Sequence, residues 1–287
     1  MITTLPTNRT SALNIRHILA VLLIGCSASS PALAEDIRIV CPYVGGLVNT
    51  ETPSHGSYSL SLKGTGLLEG LFLQWIRPST FQVNTFIYQS SNINYSDVWG
   101  GHIMGDIYFF TSKLGSLVAG AGSEFIFIYM DADSNAMPLT SGDYTSFGDF
   151  EMKNRVYTPF VRAGYRFTPK TGKIRFSLFP WVGVQYQGVR GRIAVDFPAF
   201  QYPQRADISS NDWYAMAGLG ANANIFHFID LEAKYHATFD KTTLYSTITA
   251  MVNVFITRHI GVSYRFKYME QSMGSNTFHM GGIAIVF

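Results

Sequence analysis

Between Lys153 and Val189 the chain alternates two kinds of side chain, residue by residue, on both sides of a turn. From Tyr157 the odd positions read Tyr157, Pro159, Val161, Ala163, Tyr165 and Phe167, with Thr158, Phe160, Arg162, Gly164 and Arg166 between them. After Thr168–Gly172 the even positions read Ile174, Phe176, Leu178, Pro180, Val182, Val184 and Tyr186. The odd ones read Arg175, Ser177, Phe179, Trp181, Gly183, Gln185 and Gln187. A period of two places each set on its own face of a strand, so the segment predicts a long β-hairpin. One face is greasy and aromatic; the other is polar, small or charged. Strands of soluble domains run to about five or six residues. Ten residues with an unbroken apolar face is the length that crosses a bilayer at a tilt.

Composition agrees with lipid on the outside. The chain has 287 residues, of which 14% are charged and 15% aromatic, against about a quarter charged in ordinary globular domains. The formal net charge of +2 and the absence of a basic run give no reason to expect a nucleic-acid partner. The N-terminus reads as an export signal over residues 1–34: Arg9, Arg16 and His17, then an apolar Ile18–Ile24, then a small-residue region ending Ala32-Leu-Ala34. An alternative stands beside it, because Leu23-Ile-Gly-Cys26 resembles a lipoprotein box that would make Cys26 a lipidated terminus. Cleavage after Ala34 leaves Cys41 as the one cysteine, with no disulfide. No later stretch approaches the 18 apolar residues of a transmembrane helix.

Residues 35–55 lack alternation and contain Pro42, Gly45, Gly46 and Pro53. They read as an N-terminal segment lying in the periplasm or folded into a barrel mouth. Twelve alternating segments follow, approximately 57–63, 66–76, 80–90, 101–112, 116–130, 154–167, 173–189, 211–225, 229–239, 243–256, 259–271 and 277–287. Ten would remain if 57–76 is not a hairpin. Short turns alternate with longer connections, of which 131–153 and 190–210 are the longest, rich in Asp, Ser, Pro and Gly. The chain closes on Gly281-Gly-Ile-Ala-Ile-Val-Phe287. This alternating strand with a terminal Phe resembles the last strand of bacterial outer-membrane β-barrels. The resemblance covers residues 56–287 and implies an all-β, transmembrane, antiparallel up-and-down barrel in the outer membrane of a Gram-negative cell. Outer-membrane lipid and lipopolysaccharide would surround it. The physics agrees, since an open sheet edge cannot face lipid. Pro159 and Pro180 break the habit of paired strands and, lying near one another across the central hairpin, predict a bulge or a locally unpaired spot there.

Charge cannot be solvated by lipid, so charged strand residues are expected inside. On these parities the interior candidates are Arg162, Arg166, Arg175, Asp106, Glu124, Glu232, Lys234, His236, Arg265 and Lys267, joined by Lys63, Glu69 and Asp230. Arg166 and Arg175 are expected to oppose each other, and Glu124 is expected to neutralise Arg162. Two readings follow: ion pairs that fill a closed barrel, or charges that line a porin-like passage for small polar or anionic solutes. A closed barrel would act through its external loops. A third reading, a lipid-modifying barrel enzyme, rests on Glu232, His236 and Thr238 sharing one face. It is the weakest, because Thr is a poor nucleophile there, and no enzymatic activity is expected. Asp131-Ala-Asp133-Ser-Asn135 lacks the Gly and Glu of a calcium loop. No metal and no cofactor is called for.

Overall fold

The computed structural model describes residues 36–287 apart from 52–53, 56–57, 60–61, 78–79, 94–95, 133–137, 142–143, 148, 172–173, 197–203, 227, 240–243 and 272–273. The expected signal segment and Cys26 lie outside the described residues. Twelve strands form one antiparallel sheet: β1 (Ile37–Glu51), β2 (Leu62–Arg77), β3 (Phe81–Ile93), β4 (Ser96–Phe109), β5 (Gly115–Ala132) and β6 (Asp149–Phe167), followed by β7 (Ile174–Asp196), β8 (Gln204–Ile225), β9 (Ile229–Phe239), β10 (Leu244–Phe255), β11 (Ile260–Gln271) and β12 (Gly274–Val286). Each pairs with the next, and β1 pairs with β12, so the sheet closes into a barrel.

Its dimensions follow from the registers. Round one side of the wall, Ile39 leads through Gln74, Asn84, Met104, Gly122, Phe160 and Gln185 to Tyr214 on β8. Round the other side, Leu47 leads through Phe278, Lys267, Thr249 and Lys234 to Gly220. The two routes differ by eight residues on β1 and six on β8, a shear of 14. Twelve strands with this shear tilt by about 40° and enclose a backbone cylinder of roughly 12 Å radius.

The outer face sorts as lipid requires. Val161, Val182, Val184, Ile103, Ile107 and Ile283 are exposed on it. Aromatic clusters bound this belt, with Tyr165 against Phe167 at the rim of short turns. At the other edge Tyr157, Tyr186 and Trp213 form a chain with centroids 6.0 and 5.2 Å apart. Ten residues separate Phe167 from Tyr157, about 26 Å along the axis at this tilt, which is the height of an outer-membrane apolar band.

The strand count of twelve holds, but the first strand is not 57–63. It is Ile37–Glu51, which takes the place of the expected mouth segment. Its alternation is hidden because its inner face, Ile39, Cys41, Tyr43 and Leu47, packs into an apolar part of the interior. Both faces therefore read as greasy. Tyr58–Ser59 instead belongs to a small sheet with Ser54–His55, Pro138–Ser141 and Tyr144–Phe147, which joins the β1–β2 and β5–β6 connections. The two longest connections are shorter than expected, because β5 and β6 take in 131–132 and 149–153, and β7 and β8 take in 190–196 and 204–210.

The two prolines do not share one gap. The β6–β7 ladder keeps a single register but omits pairs at residues 158–159 and again at 165–166 of β6, the latter opposite Pro180. A missing N–H at each proline accounts for both interruptions. That register also separates Arg166 from Arg175. Arg175 lies opposite Lys170, and the chain reverses between Thr171 and Ile174, later than the sequence suggested.

Candidate functional site

Alternation on twelve strands delivers a set of long side chains to the interior, where charge and aromatic rings are packed together. On the β4–β6 side, Arg162 and Asp106 form a bidentate pair, with Nε–Oδ1 at 3.2 Å and Nη2 at 2.9 and 2.8 Å from the two carboxylate oxygens. Both side chains are 5% exposed or less. The two strands are not neighbours, and the pair reaches across Gly120 of β5, which is in register with both. A Cβ at Gly120 would stand 2.1 Å from Asp106 Oδ1. The guanidinium lies over Phe179 and Trp181, at 5.4 and 5.3 Å.

Toward the short-turn rim, Arg166 donates to Tyr108 Oη at 2.6 Å, and Tyr108 donates to Gln82 at 3.1 Å. Arg175, by contrast, is exposed at the start of β7 and takes no part in the buried cluster.

The opposite wall answers with β9 and β11. Lys234 pairs with Glu232 at 2.6 Å, and Asn222 donates to the same carboxylate at 3.2 Å. Lys267 of β11 reaches Glu124 of β5 at 2.8 Å. These strands stand six apart in a ring of twelve, on opposite walls. Two extended side chains and one such bond fall well short of a diameter of roughly 24 Å. The wall is therefore drawn inward along this direction, and Lys267–Glu124 is a strut across a flattened barrel. The expected partner of Glu124, Arg162, is taken by Asp106 instead, because Gly120 leaves an open line between them.

Arg265 forms no ion pair among the described residues. Its guanidinium sits 4.4 Å from the Phe72 ring and 5.0 Å from that of Phe86. The residue is 4% exposed, and its Nη1 is buried without a hydrogen-bond partner. Cation–π contact stabilises the charge but satisfies no N–H. Nearby, Tyr43 donates to Ser263 Oγ at 2.5 Å, and Ser263 donates to Asn253 at 2.5 Å, all three buried. Sequence reasoning passed over Tyr43, because β1 was not read as a strand, and over His102.

Two cavities of about 70 Å³ each occupy the space between these groups. Glu124, Gln185, His236 and Thr247 line both, so the two adjoin. The inner one is faced by Arg162, Lys234, Arg265, Lys267 and His102; the other by Gln187, Tyr214, Tyr245 and Glu270, toward the long-loop rim. Each has room for a few waters. His236 packs its ring against Trp181 at 5.7 Å. Glu232 is held by Lys234 and Asn222 rather than by His236. Glu69 falls outside the cluster, exposed on the outer face of β2, where Gln89 donates to it at 3.4 Å. The nearly continuous apolar run from Leu67 to Trp75 concealed that parity.

No family model and no curated protein matches the chain. Among solved structures, the translocator domain of the autotransporter NalP from Neisseria meningitidis is similar at 11% identity and a TM-score of 0.52, covering 95% of this chain and 96% of that one. The transport unit of the autotransporter AIDA-I from Escherichia coli has 12% identity and a TM-score of 0.44, over 96% and 98% of the two chains. The KdgM porin has 9% identity and a TM-score of 0.42, over 86% and 99%. With its closed antiparallel wall, apolar belt and aromatic edges, the chain has a twelve-stranded β-barrel fold, similar to that of the NalP translocator domain.

Proposed function

We propose that the barrel is a narrow outer-membrane passage for small polar solutes, with anions preferred. The observation that carries this reading is the inner cavity, where four cationic side chains converge and Arg265 has no carboxylate partner among the described residues. Fixed charge around a constriction sets selectivity. Lys267–Glu124 is then the narrowest element, a strut that must swing aside or be skirted by the solute. The test is conductance in planar bilayers, with selectivity read from the reversal potential under a salt gradient. Glu124→Gln, which weakens the strut and removes a negative charge, should raise both conductance and anion preference. Arg265→Gln should lower anion preference. If neither the parent barrel nor Glu124→Gln gives reproducible steps, the passage is wrong.

A second reading is favoured by the filled interior and by the small sheet that ties two long-loop connections together. On this reading the barrel is closed and acts through its external rim, and silent bilayers are its expected result. We assign no catalytic role to Glu232, His236 and Thr238. Turnover of phospholipid or lipid A that disappears in His236→Ala would reverse that assignment.

A further inference from the structure

The outer face carries a second cluster, distinct from the interior and independent of whether the barrel conducts. Just beyond Tyr157 and Tyr186, strands β6 and β7 place Arg155 directly opposite Arg190, and Lys153 directly opposite Arg192. These four cations form a two-by-two block, exposed on the outside of the wall. Like charges opposed across a ladder destabilise it unless an anion lies between them. Two of the four have an acid of their own: Lys153 meets Glu151 at 2.6 Å, and Arg192 meets Asp207 at 2.9 Å. Arg155 and Arg190 have no ion pair and no hydrogen bond among the described residues.

The height of this pair is informative. The aromatic edge at Tyr157 stands about 26 Å above Phe167, and Arg155 lies two residues further, about 5 Å higher at the same tilt. Just outside an aromatic girdle is where lipid headgroups begin. A membrane anion at that level needs donors on the outer wall, facing sideways into the leaflet. Two guanidinium groups side by side offer paired N–H donors matched to phosphate oxygens.

We propose that Arg155 and Arg190 together hold a phosphate of an acylated, phosphorylated glycolipid in the outer leaflet. The acyl chains would lie against the apolar belt below. The bound phosphate neutralises the opposed pair that the fold leaves uncompensated.

The whole barrel, purified in a non-ionic detergent, is mixed with bis-phosphorylated lipid A, and retained lipid is counted by native mass spectrometry. Dephosphorylated lipid A and inorganic phosphate serve as the comparison probes. Phosphorylated lipid A should be retained, and its dephosphorylated form should not. Arg155→Gln with Arg190→Gln should weaken retention by about tenfold or more, as loss of charge-assisted bonds requires. Should the double variant fail to fold, Arg190→Gln alone should still weaken retention. Equal retention of both lipid forms, or unchanged retention in the variants, would overturn the proposal. So would inorganic phosphate that competes at equal concentration, since that marks a site for free phosphate and not for lipid.

Discussion

Replacing Gly120 by alanine puts a methyl group into the corridor through which Arg162 reaches Asp106. The new carbon would lie 2.1 Å from Asp106 Oδ1 and 3.2 Å from Arg162 Nε. One of the pair must retreat, and both are almost fully buried. Overpacking of this kind costs about 1–3 kcal/mol. Asp106→Ala, which leaves a buried guanidinium without its acid, should cost about 3–5 kcal/mol. Once Asp106 is gone the closest clash is relieved, although Gly105 O at 3.0 Å and Arg162 Nε at 3.2 Å remain, so the double variant should lose clearly less than the sum of the two single changes. The assay is urea unfolding in detergent micelles, followed by the fluorescence of Trp181, whose ring lies under the Arg162 guanidinium. Effects that add to within about 0.5 kcal/mol would refute the reasoning, because residues that share no contact add in this way.

Three other outcomes follow from the wall and its interior. Tyr43→Phe should cost about 1 kcal/mol, since Ser263 keeps its bond to Asn253, whereas Ser263→Ala strands two buried groups and should cost about twice that or more; the reverse order in the same unfolding assay would break the proposed chain. Pro159→Val restores an N–H facing the gap in the β6–β7 ladder and should stabilise by about 1 kcal/mol, with slower amide exchange at that position; an unchanged midpoint and fast exchange would assign the gap another cause. Cys41 is fully buried on the inner face of β1, so a bulky maleimide should leave it unlabelled in the folded barrel and label it in urea; labelling of the folded form would place β1 outside the wall.

The sequence made the wall legible wherever the two faces differ in chemistry. Arg162, Arg166, Glu232, Lys234, Arg265 and Lys267 alternate with apolar neighbours, and each is placed inside as that pattern implies. The pattern fails where both faces are apolar for different reasons. On β1, Tyr43 and Leu47 meet the packed interior while Val44 meets the outside, and the period vanishes. The same blindness inverted Glu69 on β2. Partners were less legible than faces, because an ion pair depends on what stands between its members. A glycine at position 120 links Arg162 to Asp106, two strands away, and no local reading of β6 contains that fact. The strut from Lys267 to Glu124 depends on the flattening of the whole ring, a property of twelve registers taken together.

The seam between β1 and β12 has a consequence for how such a molecule comes into being. Arg38 and Phe287 exchange backbone bonds there, and the flanking residues zip upward from that point. Until the final strand arrives, two edges with unmatched N–H and C=O groups stay open, and hydrocarbon will not tolerate them. Ring completion and entry into the bilayer must therefore proceed together, with the partly assembled chain sheltered by water or by another protein until its two ends meet.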